Sequence, residues 1–166
     1  MLFRSLVGTT NNATGINGLV VDGISYNVTF IADTYDNVFG STTPTFGNDP
    51  LGAADALNAL MAALNALNVT MITGPNAGGI QSAVIPDSPV SGGSYFGQQT
   101  LFGYAGSFWS PYPSASNSNS QIGASNTYGH NDMVVFEAVP EPASLAILTA
   151  GFAGLGWWRR RRAQFV

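Results

Sequence analysis

The chain has 166 residues, of which 45% are hydrophobic, and its nine acids and five cations give a formal net charge of −4 at pH 7. Every cation is an arginine, either Arg4 or a member of the run at residues 159–162, so residues 5–158 carry acids and no base. Such a body repels nucleic acid, whose phosphates need Lys or Arg, and the absence of cysteine excludes disulfides, thiol catalysis and thiolate metal sites.

Residues 1–17 show no regular pattern, and we expect an irregular N-terminus. An export signal needs a basic start and roughly 7–15 apolar residues before its cleavage site. Here Arg4 is followed only by Ser-Leu-Val-Gly. The segment is consistent either with a cytoplasmic start or with a truncated signal region.

Residues 18–30 predict a β-hairpin. Asp22-Gly23 is a dipeptide that favours the positive φ angles of a tight two-residue turn. After the turn, apolar residues alternate with polar ones, which places one set of side chains on a single buried face of a sheet. That set is Ile24, Tyr26, Val28 and Phe30.

Residues 49–67 predict an amphipathic helix. Asp49 suits the N-cap and Pro50 suits the first helical position. Five large apolar residues recur at helical spacing and form one stripe that we expect to pack on the hairpin. They are Leu57, Leu60, Met61, Leu64 and Leu67, while Asp55, Asn58 and Asn65 occupy the other side. A short strand over Val69 to Thr73 can follow.

The rest of the body is weakly patterned. An aromatic, Gly-interrupted stretch at residues 94–109 is consistent with one or two short strands, and residues 110–129 read as a low-complexity loop. Residues 133–139 predict a last strand. Residues 18–139 are therefore expected to form an α+β domain with a small antiparallel sheet and one amphipathic helix.

Residues 142–158 contain no charge and predict a C-terminal transmembrane helix. At a rise of 1.5 Å per residue they span roughly 25 Å, enough for a thin bilayer. Trp157 and Trp158 suit the headgroup region, and the positive cluster favours the cytoplasmic side. The cluster consists of Arg159, Arg160, Arg161 and Arg162. The predicted topology places the N-terminus outside and the C-terminus inside.

Pro140, Glu141 and Pro142 precede this helix. Pro142 fits a first helical turn and Glu141, which precedes a proline, is restricted to extended geometry. The tripeptide is therefore a stiff, extended strip at the outer face of the membrane. Such a strip can enter the cleft of a processing enzyme.

The segment VPEPASLAILTAGFAGLGWWRRRR, residues 139–162, resembles the PEP-CTERM sorting signal. The resemblance covers roughly the last 25 residues and rests on the Pro-Glu-Pro motif, the Ala/Leu/Gly-rich helix and the arginine cluster in register. It implies recognition by an exosortase, a membrane transpeptidase, with a precursor in the inner membrane and a mature product at the cell surface or in the extracellular matrix. Residues 140–166 are then the sorting signal, with Pro140, Glu141 and Pro142 as its processing motif.

We expect an exported, non-enzymatic surface or exopolysaccharide-matrix protein with no cofactor. One alternative is a carbohydrate-binding ectodomain on the same route, since exposed aromatic rings stack on sugars. The seven aromatics concerned are Tyr95, Phe96, Phe102, Tyr104, Phe108, Trp109 and Tyr112. Another alternative is a single-pass membrane protein that is never cleaved.

Other candidate sites are weaker. His130 and Asp132 could join a serine in a catalytic triad, but the chain has no G-x-S-x-G elbow. Asp33, Asp36 and Asn37 could bind Ca²⁺, although their spacing does not match an EF-hand loop and a polar turn is the simpler interpretation. Among residues 142–158, Ala146, Ala150 and Gly154 permit close helix packing, as any Ala/Gly-rich helix would.

Overall fold

The computed structural model describes residues 4–73, 80–87, 95–96, 98–104, 108–111, 122–123 and 131–140. The strands are β1 (Ser5–Thr9), β2 (Asn12–Val21), β3 (Ile24–Ile31), β4 (Ile80–Pro86), β5 (Tyr95–Phe96), β6 (Gln98–Tyr104), β7 (Ser110–Pro111), β8 (Ile122–Gly123) and β9 (Asn131–Ala138). The helices are α1 (Tyr35–Val38) and α2 (Pro50–Ala66). Seven strands form one sheet in the order β1-β2-β3-β9-β4-β6-β7, and β5 pairs with β8.

The predicted hairpin is confirmed as β2 and β3. Asp22 and Gly23 have φ angles of 49° and 83°, the positive pair that a type I′ turn requires. Tyr26, Val28 and Phe30 are buried on one face as the alternation predicts. Ile24 keeps the same parity but is 50% exposed, because it lies at the turn, beyond the reach of the core.

The predicted helix is confirmed as α2. The Asp49 carboxylate accepts a hydrogen bond from the Gly52 N–H at 2.9 Å, and Pro50 opens the helix. The helix packs on β2, β4, β6 and β7, so it covers one face of the sheet. The three central leucines of the stripe, Leu57, Leu60 and Leu64, are buried, and Met61 and Leu67 are partly buried against the same core.

The sheet extends well beyond the predicted hairpin, and three predictions need correction. Residues 5–17, expected to be irregular, form β1 and the first part of β2. The strand expected at Val69–Thr73 is a single parallel bridge between Ala13 and Ile72. The sheet is also not wholly antiparallel, because β4 and β9 pair in parallel.

The predicted last strand is confirmed as β9, and it is the central strand of the sheet. It pairs with β3 in antiparallel register from Ile31↔Met133 to Tyr26↔Ala138. Its other edge pairs in parallel with β4, from Ser82↔Asn131 to Val84↔Met133. β9 therefore joins the hairpin half of the sheet to the β4–β6–β7 half.

Both faces of the sheet carry apolar side chains. The face away from α2 holds a small cluster of Tyr35, Val84 and Met133, with Val38 and Phe39 packed against it. Tyr35 and Val38 belong to α1 and Phe39 is its C-cap, so this short helix covers the second face at the centre of the sheet. The expected loop at residues 110–129 begins as β7 and contains β8; its other residues lie outside the described part of the chain.

Two amide side chains hold irregular segments against the core. Asn65 binds both backbone groups of Trp109: its Nδ2 donates to the carbonyl at 3.0 Å, and its Oδ1 accepts from the N–H at 2.8 Å. Gln81 does the same for Ile72, with distances of 2.9 and 2.8 Å. Each amide thus replaces a strand partner where the backbone has none, which satisfies buried polar groups that would otherwise be costly.

Trp109 is a core residue. It is 2% exposed, and its indole N–H donates to the Val69 carbonyl at 2.7 Å. Its ring lies directly over Gly103, where an added Cβ would come within 2.9 Å of three indole atoms. Phe108, the preceding residue, is 81% exposed.

Replacement of Trp109 should therefore destabilise the domain. We expect Trp109→Phe to lower the free energy of unfolding by about 1–3 kcal/mol, because it removes the buried hydrogen bond to Val69 and part of the packed ring. Phe108→Leu is the matched control, and its effect should stay within about 0.5 kcal/mol. Urea denaturation followed by far-ultraviolet circular dichroism measures both, and equal effects at the two positions would contradict the assignment.

Asp132 is a buried carboxylic acid on β9. It is 2% exposed, and its Oδ1 has no hydrogen-bond partner within the described residues. Burial raises the pKa of this carboxyl to about 7, because desolvation disfavours its charged form. An aspartate in the unfolded chain has a pKa of about 3.9.

The unfolding free energy should consequently depend on pH through Asp132. Because the pKa of Asp132 is higher in the folded state than in the unfolded state, its contribution to the free energy of unfolding is fully present below about pH 4. That contribution is lost as the pH rises to about 7. Asp132→Asn should remove this decline and give a more stable protein at pH 7 and above. Denaturant titrations between these limits test it, with Glu137→Gln, an exposed acid on the same strand, as the control. A decline that persists in Asp132→Asn would assign the effect to another group.

Candidate sorting site

The central strand of the sheet leads directly into the predicted processing motif. β9 ends at Ala138, and the Val139 N–H still donates to the Ser25 carbonyl at 2.8 Å. Pro140 is exposed and has no backbone N–H, so the ladder cannot continue. The first residue of the predicted processing motif is therefore also the first residue free of the sheet.

An aromatic cluster fixes this end of β9. The Phe136 ring meets Tyr26 edge-on at a centroid distance of 5.8 Å and Phe46 at 5.1 Å. Tyr26 and Phe46 also contact each other at 5.9 Å. The Thr45 hydroxyl donates to the Phe136 carbonyl at 2.7 Å, which holds the segment before α2 against the strand. These contacts keep the departure point of the chain in one place.

We call this region the exit end: the turn at Asp22 and Gly23, the neighbouring Ile24, the first turn of α2 with Leu51, and Pro140. The register places Ile24 opposite Pro140, two residues beyond the Tyr26↔Ala138 pair. The first turn of α2 is at the same end because Gly52 lies against the Phe46 ring. Asp22 is exposed here, as is Glu137 nearby on β9, so the described surroundings of Pro140 are acidic.

Of the predicted sorting residues, only Pro140 falls in the described part of the chain. Glu141, Pro142, Trp157, Trp158 and the cluster of Arg159, Arg160, Arg161 and Arg162 lie outside it, as does the whole predicted membrane helix at residues 142–158. Within the described ranges, no helix has the length and apolar character needed to cross a membrane.

The segment considered for calcium is a helix cap. The Asp33 carboxylate accepts from the Asn37 side-chain amide and from the Thr34 N–H, both at 2.7 Å. These bonds, first that of Asn37 and then that of Thr34, lower the pKa of Asp33. Thr34 in turn caps α1 by accepting from the Asn37 N–H at 3.2 Å. Among the residues that the structure describes, no group of three or more His, Asp or Glu side chains could hold a metal ion.

The residues considered for a catalytic triad and for a sugar-binding platform remain. Asp132 and Trp109 take structural roles. Asp132 is buried, on the strand parity of Val134 and Phe136, and His130 lies outside the described residues. Trp109 cannot stack on a sugar because its ring is enclosed by the core. Phe108 is exposed, and the other aromatic side chains of the stretch fall outside the description.

Sequence reasoning did not identify the residues that hold the exit end. Ser25 and Thr45 act through backbone pairing and a long-range hydrogen bond across 91 positions in sequence, which leave no local pattern. Phe46 stands alone between glycine and threonine, outside any periodic run. Tyr26 and Phe136, as parts of apolar strands, did carry a signal.

Comparison with curated proteins and with solved structures finds no match to this chain. A family model for the PEP-CTERM protein-sorting motif matches residues 138–161. The match begins at the last residue of β9 and runs into the arginine cluster. The chain therefore carries a PEP-CTERM protein-sorting motif, which implies recognition by an exosortase, a membrane-anchored precursor and export to the cell surface.

Proposed function

We propose that this protein is a non-enzymatic component of the cell surface or the exopolysaccharide matrix, which an exosortase cleaves from its C-terminal anchor. The observation that carries this proposal is the junction at Ala138, where the strand ends and the matched motif begins. A cut at or beyond Pro140 removes no residue of the sheet that the structure describes. The body can thus be released without unfolding.

The anchor in this proposal is the helix at residues 142–158, with the arginines on the cytoplasmic side. Its orientation follows from the charge distribution, since cytoplasmic flanks of membrane helices are rich in Lys and Arg. The described domain would then stand outside the membrane, and nothing in its charge opposes this, because Arg4 is the only cation before Arg159.

The non-enzymatic role is supported by what the candidate catalytic and metal residues do. Asp33 accepts hydrogen bonds from Thr34 and Asn37 at the start of α1, and Asp132 is enclosed in the core at 2% exposure rather than open to a substrate. Asn65 and Gln81, two further buried or half-buried polar side chains, are both occupied by backbone partners. A domain whose described candidate residues are taken up in packing and hydrogen bonds suits a surface component.

Processing should remove the tail only where an exosortase is present. We expect the mature protein to lose about 25 C-terminal residues in a host with the enzyme and to keep its full mass in the same host without it. For this experiment the protein is expressed with a complete export signal, and intact-mass spectrometry measures the loss. Full-length mass in both hosts would contradict processing and favour the alternative, a permanent single-pass anchor.

Within the motif, Glu141 should be required and Glu137 should not. Glu141→Gln removes the charge of the Pro-Glu-Pro strip without changing its size, and we expect the cleaved fraction to fall several-fold. Glu137→Gln makes the same change four residues upstream, on the exposed face of β9, and should be cleaved like the parent. Equal cleavage of the two variants would show that the enzyme does not read the motif carboxylate.

A further inference from the structure

The exit end has very little chain between it and the predicted membrane helix. Val139 is fixed to Ser25 by a backbone hydrogen bond of 2.8 Å. The predicted helix begins at Pro142, three residues further on. Even fully extended, that length of chain spans only about 10 Å. An inserted helix therefore holds the exit end within about one headgroup layer of the bilayer.

The exit end also exposes apolar side chains. Ile24 is 50% exposed beside the hairpin turn, and Leu51 is 80% exposed in the first turn of α2. Both belong to the face of the sheet that α2 covers, Ile24 by its parity with Tyr26 and Leu51 through the helix itself. Of the four large apolar residues exposed in the described part of the chain, two thus lie where the tether ends.

Charge decides which kind of surface fits. The described exit end carries Asp22, and its helix opens with Asp49. The one described cation, Arg4, precedes β1, whose first residue, Ser5, pairs with Asn17 rather than with the turn at Asp22. Such a surface gains nothing from anionic lipid. Two apolar side chains beside acids suit a shallow contact with zwitterionic headgroups, with the acids left in water.

We infer that the exit end, through Ile24 and Leu51, rests on the lipid surface while the precursor is anchored. This inference rests on the anchor of the proposed function and adds to it a defined orientation. α2 stands with its first turn toward the bilayer and its last turn away. The 17 residues of α2 separate these turns by about 25 Å.

Single-cysteine spin labelling tests this orientation, because the chain has no native cysteine. The full-length chain is inserted into phosphatidylcholine vesicles with a nitroxide at one of four positions: Ile24→Cys, Leu51→Cys, Phe108→Cys or Leu148→Cys. Phe108 is the matched control, since it is apolar and 81% exposed but adjoins Trp109, which binds Asn65 in the last turn of α2. Leu148 reports whether the predicted helix is inserted.

The readout is the accessibility of each label to oxygen, which concentrates in lipid, relative to a water-soluble nickel complex. We expect this ratio to be several-fold higher at Ile24 and Leu51 than at Phe108, and highest at Leu148. If Leu148 is in lipid while Ile24 and Leu51 match Phe108, the surface contact is overturned and the anchor stands. If Leu148 is in water, the anchor and the contact both fail. If the labels at Ile24 and Leu51 are shielded from both reagents, the exit end contacts protein rather than lipid, and the inference is contradicted.

Discussion

The structure depends on the insertion of β9 between β3 and β4. This strand is the last that the structure describes and the central one in the sheet, so both halves of the fold hydrogen-bond to it. Its Val134 and Phe136 side chains enter the core beneath α2, and its Met133 enters the cluster on the opposite face. One strand of eight residues therefore connects two halves of the sheet and two apolar layers.

The remainder of the fold compensates for a composition poor in charge and free of cysteine. In the described part of the domain, hydrogen bonds from side chains to the backbone hold several segments in place. Asn65 and Gln81 each bind both backbone groups of one residue, and Asp49 and Thr34 cap the helices. Of these bonds, those of Asn65 join the most distant parts of the chain, because Trp109 is 44 positions away.

Local patterns in the sequence were sufficient for the elements whose signals are themselves local. The Asp22-Gly23 turn, the Asp49-Pro50 start of α2 and the alternation after Ile24 each predict a structure that the fold contains. The pairings were not predictable in this way. The pairing of β9 with β3 depends on contacts between residues roughly a hundred positions apart. Its parallel pairing with β4 joins residues about 50 positions apart. Local periodicity carries no information about either pairing.

The candidate site likewise has a part that local sequence patterns predict and a part that depends on distant contacts. The Pro-Glu-Pro motif, the uncharged segment and the arginines are contiguous, so the sequence alone indicated a sorting signal, which the family match bears out. The geometry that presents this signal was not visible, because Ser25 and Thr45 reach the end of β9 from other segments. The role of Trp109 was likewise hidden, since an aromatic residue in a Gly-rich stretch has the same sequence signal whether it is enclosed or exposed.

The position of β9 also sets an order of events in time. A chain that is threaded N-terminus first through a narrow channel has its hairpin and α2 outside well before residues 131–138 arrive. Until they do, β3 and β4 each lack one of their two neighbouring strands, and the sheet is incomplete. Pairings between residues so distant in sequence form slowly in any case. In a chain exported in this way, the central strand pairings form only after the segment next to the sorting motif has emerged.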